Sequence, residues 1–408
     1  MTITTVNQAE WVCDANDVLK LRLVSAHTSD PYEHPEGEYH QLLPQFTYSL
    51  FGPLQQIYGY KNLKIKLYYA AGSLVTYLDV SYDEKISDHL PGAKPTDVIG
   101  IIREHIPEGF MTNYDTFLQR VEKDTHTFVP MGEKISEYRL SDDDNIVYEI
   151  YKTNFNTPGF KEYHSRLQLF VLLYIDGARY INEDDEKWEI ALVFQKKSTG
   201  DSNIYNIIGY CTMYAFFFYE KCEGSKPLSE IKEISNELNE TSNFLYSTRL
   251  RISQFLILPP YQKQDHGSKL YQALYRNFLA NPWIKELTVE DPNDAFSDLR
   301  DKNDLMYLVE NKIVEGLTIP LDKNKVEEVR RKCKLDQRQM HRCIEMLMLK
   351  KLNKSDVNAY KAYRIQVKKR LYNHNKDVLC QMSKSERIEK LAETYISIEE
   401  DYYRILSL

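Results

Sequence analysis

One stretch of this 408-residue chain, residues 250–292, constrains the fold more than any other. Its apolar residues alternate and then run continuously up to the prolines at 259–260, which predicts a buried strand stopped by proline. After a polar loop, apolar residues recur from Leu270 to Phe278 at the spacing of one helical face. A second alternating segment, 284–292, predicts another strand. The order strand, loop, helix, strand predicts an α/β fold.

The loop between the first strand and the helix is a candidate anion site. Its backbone amides lie at a helix N-terminus, where unpaired N–H groups and the helix dipole favour a phosphate or a diphosphate. Glu290 and Asp291 end the next strand, which is where doubly wound sheets bind their ligands. Together these features suggest a phosphate-bearing cofactor and proton abstraction. An ordinary loop with solvated acids is the alternative, and spacing alone favours that alternative.

The exact residues point to a known family. Residues 251–271 resemble the acetyl-CoA-binding strand, loop and helix of the GNAT superfamily, whose loop pattern is Gln/Arg-x-x-Gly-x-Gly/Ala. Gln262 and Gly267 match this pattern, whereas Asp265 stands where the first glycine is expected. The closer similarity is to the catalytic subunits of type B histone acetyltransferases, in a fungal-like form. The segments that resemble that family follow its order and cover most of the chain: 59–74, 160–188, 208–216 and 288–305.

This resemblance implies an α/β (α+β) architecture, in which a GNAT-type mixed central sheet is flanked by helices. We expect an N-terminal mixed α/β domain at 1–145 and a catalytic core at 146–314. A C-terminal helical domain follows at 315–408, and 221–248 is expected to be a loop insertion in the core. From the residues themselves, we predict that 206–220 forms a pair of strands.

The resemblance also implies that acetyl-CoA is the cosubstrate. The end of the first strand would offer backbone groups to its pantetheine arm, the loop would hold its diphosphate, and one asparagine would lie near its thiol. The expected cofactor-binding residues are Phe255, Leu256, Ile257, Gln262, Lys263, Gln264, Asp265, His266, Gly267, Ser268 and Asn293.

The expected reaction is acetyl transfer to a lysine in the N-terminal tail of free histone H4. A protonated lysine cannot attack a thioester, so a base must first remove its proton. Glu290 is the first candidate for that base, and Asp291 and Asp176 are candidates to assist or replace it. The residues expected to bind the peptide are Trp188, Tyr214, Ala215 and Phe216. Two alternatives remain open: a GNAT enzyme that acts on another amine, and a non-catalytic module that holds CoA or histone.

Composition limits the partners. The net charge of −8 and the pI of about 5.8 disfavour general nucleic-acid binding and permit a basic partner. We therefore expect no direct DNA binding, and the resemblance implies a WD-repeat β-propeller histone chaperone as a second subunit. No apolar run predicts a signal peptide or a membrane span. The six cysteines are scattered without a zinc-ligand pattern, which predicts free thiols in a reducing compartment and no metal. The resemblance implies a location in the cytoplasm and nucleus.

Two charged regions have competing interpretations. The acids at 183–186 form either a solvated turn or a surface that attracts a lysine-rich tail. The basic clusters at 330–332 and 368–370 could bind nucleic acid. They are more typical of solvated helix faces that alternate with acids, and we favour that interpretation.

Overall fold

The computed structural model describes residues 8–25, 41–88, 90, 92–140, 143, 145–199, 202–219, 246–353 and 355–407. The expected insertion at 221–248 lies outside the described residues, except for its last three positions. Those three positions belong to a strand that runs to Ile257, and the expected insertion stays a prediction. The chain divides into two compact units, one of Met1–Tyr214 with Ile252–Ala273 and one of Ala215–Arg251 with Leu274–Leu408. The expected division into three domains stays a prediction.

The described strands are β1 (Val12–Asp14), β2 (Leu19–Val24), β3 (Gln41–Leu42), β4 (Gln56–Tyr58), β5 (Tyr60–Lys61), β6 (Lys64–Ala70), β7 (Thr76–Ser81), β8 (Glu84–Lys85), β9 (Glu133–Tyr138), β10 (Ile146–Asn154), β11 (Trp188–Thr199), β12 (Ser202–Tyr219), β13 (Tyr246–Ile257) and β14 (Ile284–Val289). The described helices are α1 (Ala15–Val18), α2 (Tyr48–Phe51), α3 (Val98–Arg103), α4 (Tyr114–Thr127), α5 (Phe160–Leu167), α6 (Leu169–Tyr174), α7 (His266–Ala280), α8 (Asp294–Glu310), α9 (Lys323–Cys333), α10 (Gln337–Lys351), α11 (Val357–His374), α12 (Lys376–Leu379) and α13 (Lys384–Leu406).

The first unit begins with a four-stranded sheet in the order β3-β2-β6-β7. Strand β2 runs parallel to β6, and β6 and β7 form an antiparallel hairpin. Helix α4 begins at Asn113, whose side chain accepts the Thr116 N–H, and it buries Phe117 and Val121 against the sheet. The apolar core of this region forms because α4 covers one face of the sheet.

A larger sheet has the strand order β14-β13-β12-β11-β10-β9. Neighbouring strands from β9 to β12 are antiparallel, and residues 190–194 of β11 are fully buried. A continuous buried run means that protein covers both faces of this strand. The segment 206–219 belongs to the single strand β12, so the predicted strand pair is wrong.

The reason lies at Gly209, which does not form a turn. Strand β12 passes so close to β13 here that a Cβ would lie 2.6 Å from the Leu256 carbonyl oxygen. Glycine therefore allows the close approach of two strands rather than ending one of them.

The second unit contains α8 to α13, which confirms the predicted helical character of the C-terminal region. Helix α13 packs against α8, α10 and α11. The Arg342 guanidinium joins these helices, since it lies 2.6 Å from both Asp301 and Asp401. Within the described part of the chain, no helix is long and apolar enough to cross a membrane.

Candidate functional site

The turn between β13 and α7 has an unusual backbone. Lys263 and Asp265 adopt left-handed conformations, with φ values of 58° and 67°. Such conformations are uncommon for residues other than glycine, and aspartate tolerates them better than lysine does. The sequence identified Asp265 as the unusual position, but it gave no sign that Lys263 shares the same conformation.

Two glutamine side chains hold this turn in shape. The Gln262 side-chain amide donates to the Ile257 carbonyl at 2.7 Å, and the Gln264 side-chain amide donates to the Pro260 carbonyl at 2.8 Å. Just before the turn, the Leu258 N–H donates to the Ile208 carbonyl at 2.9 Å, which fixes the end of β13 to β12. Both glutamines therefore bind the turn's own carbonyls, so they set its geometry from within.

The turn leads directly into α7, which begins at His266. The first N–H groups of a helix have no carbonyl partner within it, and they lie at the positive end of the helix dipole. The Lys269 ammonium lies 3.6 Å from the Asp265 carboxylate and partly neutralises its charge. The N-terminus of α7, two lysines and a partly neutralised aspartate fit a diphosphate group.

His266, the first residue of α7, packs in the interior next to the turn. Its side chain is buried, its Nδ1 lies 2.9 Å from the Tyr138 hydroxyl, and the Tyr148 ring meets it edge-on at 4.5 Å between centroids. Burial lowers the pKa of His266 to about 4, so its imidazole is neutral near pH 7. Its Nε2 is buried without a hydrogen-bond partner among the described residues. Any contact between this residue and a bound diphosphate would come from its backbone amide.

An aromatic pair also lies in the first unit. Trp188 on β11 and Tyr214 on β12 are cross-strand neighbours, and their rings meet edge-on at 4.8 Å. The Tyr214 hydroxyl donates to Asp185 at 2.8 Å. The pKa of Asp185 is lowered first by the Lys187 backbone N–H and then by this hydroxyl, so its carboxylate is charged at neutral pH. Two of the four predicted peptide-binding residues therefore lie together beside a negative charge.

The acidic loop makes contacts within its own unit. Glu183 lies 2.7 Å from His164 Nδ1, and Asp184 lies 2.7 Å from the Lys161 ammonium. Asp184 stays highly exposed, as a solvated turn requires, whereas Glu183 is half-buried against His164, so both interpretations of this run stay open.

The candidate base Asp176 is held by a residue from the N-terminal region. Its Oδ1 accepts a hydrogen bond from the Tyr48 hydroxyl at 2.9 Å, and the same hydroxyl accepts the Gly177 N–H at 2.6 Å. Tyr48 thus fixes both the carboxylate and the turn that follows it.

The second unit carries Glu290, Asp291, Asn293, Ala215 and Phe216. Glu290 is exposed at the end of β14, and its Oε1 lies 3.8 Å from Nη1 of Arg251 on β13. The Arg251 guanidinium also stacks over the Phe216 ring, 4.2 Å from its centre. Arg251 therefore connects the first candidate for the base with a predicted peptide-binding residue.

The residues after Glu290 turn the chain into α8. Asp291 is exposed and has a positive φ of 34°. The Asn293 side-chain oxygen accepts the Phe296 N–H at 2.9 Å and so caps α8. Because this oxygen is engaged, a contact between Asn293 and acetyl-CoA would use its amide group.

Sequence reasoning missed Arg251, Tyr138 and Tyr48. Arg251 could have been suspected, because its side chain leaves the strand that precedes the anion turn. Tyr138 and Tyr48 each contact a residue 128 positions away, so nothing local could identify them. Among the described residues, no three His, Cys, Asp or Glu side chains form a group that could hold a metal ion.

Strand β13, the turn that fits a diphosphate, helix α7 and strand β14 follow one another in the order that the resemblance to acetyltransferases implies. Two family models match the chain, "Histone acetyl transferase HAT1 N-terminus" at residues 11–176 and "Fungal HAT1, C-terminal" at residues 301–353. The chain is 39% identical to the histone acetyltransferase type B catalytic subunit of Cryptococcus neoformans, over 98% of both chains. It is 32% identical to the human protein of that name, over 98% of this chain and 93% of the human one.

The chain therefore belongs to the family of type B histone acetyltransferase catalytic subunits, which confirms the resemblance and the predicted α/β class. Among solved structures, an aminoglycoside acetyltransferase from a soil metagenome is 13% identical over 40% of this chain and 90% of that one. Its TM-score of 0.25 is too low to support a detailed comparison.

Proposed function

We propose that the protein transfers the acetyl group of acetyl-CoA to the side-chain amine of a lysine in the N-terminal tail of free histone H4. The observation that carries this proposal is the 39% identity to a type B catalytic subunit over 98% of the chain. The anion turn between β13 and α7 supports the choice of acetyl-CoA, because it suits a diphosphate.

The turn residues would bind acetyl-CoA mainly through their backbone. The amides of Lys263–Ser268 would surround the diphosphate, and the Lys263 and Lys269 ammonium groups would balance its charge. Backbone groups of Phe255–Ile257 would pair with the pantetheine arm, and one of their amides could polarise the thioester carbonyl. The Asn293 amide would lie near the thiol.

Proton removal is the step that the carboxylates would perform. Glu290 would take the proton from the lysine ammonium, and the freed lone pair would attack the thioester carbonyl carbon. A C–N bond forms, the C–S bond breaks, and the leaving thiolate takes up a proton. Arg251 would keep Glu290 oriented, while Asp291 and Asp176 would assist or replace it.

Four residues would line the path of the tail: Trp188, Tyr214, Ala215 and Phe216. Aromatic rings can pack against the aliphatic part of a lysine and attract its charge. Asp185 places a carboxylate beside this aromatic pair. A basic peptide would therefore be favoured over a neutral one.

The partner and the location are further proposals. A WD-repeat β-propeller histone chaperone would present the free histone, and the protein would work in the cytoplasm and the nucleus without binding DNA directly. Affinity purification and fractionation test both points. Failure of such a subunit to copurify would contradict the proposed partner. Protein found only in a membrane fraction would contradict the proposed location.

Labelled acetyl-CoA provides the decisive assay. The substrates are free H4, an H4-tail peptide, the same peptide with every lysine changed to arginine, nucleosomes and a small polyamine. We expect label on free H4 and on the lysine peptide, none on the arginine peptide, and less on nucleosomes. Equal transfer to the polyamine would favour an acetyltransferase for other amines. Histone binding without any transfer would favour a non-catalytic module.

A further inference from the structure

The C-terminal helices form a groove that the proposed reaction does not use. The groove encloses about 1060 Å³ between residues 319–321, the first turns of α9 and α10, and one face of α11. Five basic side chains line it: Lys323, Arg330, Arg338, Lys369 and Arg370. All of these residues belong to the second unit, so the groove is a feature of that unit alone.

Two glutamates also line the groove, but arginines already neutralise them. Glu327 accepts hydrogen bonds from Arg330 at 2.7 and 2.8 Å. These hydrogen bonds are the largest cause that lowers the pKa of Glu327, to about 2. Glu345 is buried and accepts a hydrogen bond from Arg370 at 2.6 Å. Because both glutamates are paired with arginines, the net charge of the groove is set by its other cations.

Three cations are left over. Lys323, Arg338 and Lys369 are exposed, and none of them forms an ion pair with a residue in the described part of the chain. The groove therefore carries an uncompensated positive charge on a chain whose net charge is −8. Such a concentration of one sign of charge attracts an anionic ligand.

An apolar pocket lies next to the groove. It encloses about 310 Å³ and is lined mainly by Leu317, Ile344, Leu347 and Met348. Ile319 and Ala362 line both spaces, so the pocket and the groove adjoin. The exposed Lys351 also lines the pocket, which places one more cation beside an apolar surface.

We propose that this groove is a docking site for an acidic peptide segment of a partner protein, which inserts one aliphatic side chain into the pocket. An extended ligand that combines acids with a single apolar anchor matches both the unpaired cations and the adjoining cavity.

The chemistry of the lining disfavours single-stranded nucleic acid as the ligand. Sites for single strands combine basic grooves with aromatic side chains on which bases stack. The described residues that line the groove and the pocket include no Phe, Tyr or Trp, and their rings are the imidazoles of His341 and His374.

Fluorescence anisotropy with a short labelled peptide tests the proposal. The probe contains Asp, Glu and Ser with one central Leu. The comparison probes replace the Leu by Ser, replace every acid by Lys, or are an oligothymidylate of matching length. The full-length protein should bind the acidic Leu peptide best, more weakly as salt rises, and should not bind the lysine peptide.

Charge reversal locates the site. The triple variant Lys323→Glu, Arg338→Glu, Lys369→Glu should weaken binding of the acidic Leu peptide by about tenfold or more, because like charges would then face each other. The matched control reverses three exposed lysines outside the groove: Lys350→Glu, Lys376→Glu and Lys384→Glu. The control should bind as the natural protein does, and both variants should keep its helical circular dichroism.

A second variant tests the pocket separately. Ala362 is exposed at the junction, so Ala362→Trp should block the pocket without disturbing a core. This variant should bind the Leu and Ser peptides equally, whereas the natural protein prefers Leu.

Several outcomes would overturn the proposal. They are the absence of saturable peptide binding, equal losses in the groove and control triples, or tighter binding of oligothymidylate than of the acidic peptide. Binding that depends on a second copy of this chain, seen as dimers in light scattering, would also overturn it. Acetyl transfer to free H4 is measured alongside and should stay unchanged in all three variants, so a failure of the proposed function is recognised separately.

Discussion

The anion turn at 262–268 and the acidic segment at 290–293 both follow a strand and precede a helix, yet they are built differently. The turn is fixed by its own side chains, with Gln262 and Gln264 bonded to nearby carbonyls and His266 buried beneath. In the acidic segment, Glu290 is exposed and its side chain lies near Arg251 at the looser distance of 3.8 Å. A binding surface can thus be preorganised by the chain alone, whereas the proposed base remains solvated until substrate arrives.

This difference predicts two kinds of sensitivity. Changes beneath the turn should alter acetyl-CoA binding and stability, because they disturb a packed support. Changes in the acidic segment should alter turnover and leave binding nearly intact, because an exposed carboxylate contributes little to packing.

The largest effect is expected at Glu290. Glu290→Gln removes the proposed base while preserving shape, so kcat on an H4-tail peptide should fall by roughly 100-fold or more. Steady-state kinetics measure this change, and calorimetry should show acetyl-CoA affinity close to that of the natural protein. Glu310→Gln, at an exposed acid near the end of α8, is the control and should retain full activity. A kcat within about twofold of the natural value would move the role of base to Asp291 or Asp176.

A smaller effect is expected at Gly209, which packs against the end of β13, the strand that leads into the anion turn. In Gly209→Ala the new Cβ would lie 2.6 Å from both the Leu256 oxygen and Ile257 Cδ1. Overpacking of this kind costs about 1–3 kcal/mol, and the end of β13 must shift to relieve it. Thermal unfolding should show the loss of stability, and calorimetry should show weaker acetyl-CoA binding.

Gly316→Ala is the control for that experiment. Gly316 has a positive φ of 84° and open space around it, so the substitution strains only the backbone. It should lower stability without weakening acetyl-CoA binding. Equal binding by Gly209→Ala and the natural protein would show that the turn does not depend on the packing of β13.

The contrast between the two segments also explains what the sequence could predict. The order of strand, turn, helix and strand was predictable because apolar spacing and prolines encode it locally. The Tyr138–His266 contact was not, since it joins residues 128 positions apart. Strand β12 was misjudged for a related reason: a glycine within an apolar run suggests an interruption. Only the tertiary structure shows that Gly209 faces β13.

The next effect concerns pH and His266. Its pKa is lowered by burial to about 4 in the folded protein, against about 6.5 in an unfolded chain. Between these values the unfolded chain binds the extra proton, so the free energy of unfolding should fall as pH drops from 6.5 towards 4. One such group contributes a slope of at most about 1.4 kcal/mol per pH unit.

Denaturant unfolding across this pH range measures that slope. His266→Gln should lower stability near pH 7 and flatten the slope by the contribution of one proton. His374→Gln, at an exposed histidine, should leave both unchanged. An identical slope in the natural protein and His266→Gln would show that His266 is not the group that titrates.

The smallest effect is expected at Asp265, where charge and backbone conformation act together. Its carboxylate would lie near the diphosphate, which it repels, while the pair with Lys269 at 3.6 Å compensates part of that charge. Its φ of 67° also costs a non-glycine residue some strain, which glycine would relieve. Asp265→Gly should therefore tighten acetyl-CoA binding by up to about 1 kcal/mol, the scale of an exposed charge pair, with kcat nearly unchanged.

Asp265→Asn separates the two causes, because asparagine tolerates the left-handed conformation and removes only the charge. If repulsion limits binding, calorimetry should show that the asparagine and glycine variants gain the same affinity. If backbone strain limits it, only the glycine variant gains. Detectable acetyl-CoA binding in the glycine variant alone would mean that the natural turn does not hold the cosubstrate, and the proposed acetyl transfer would fail with it.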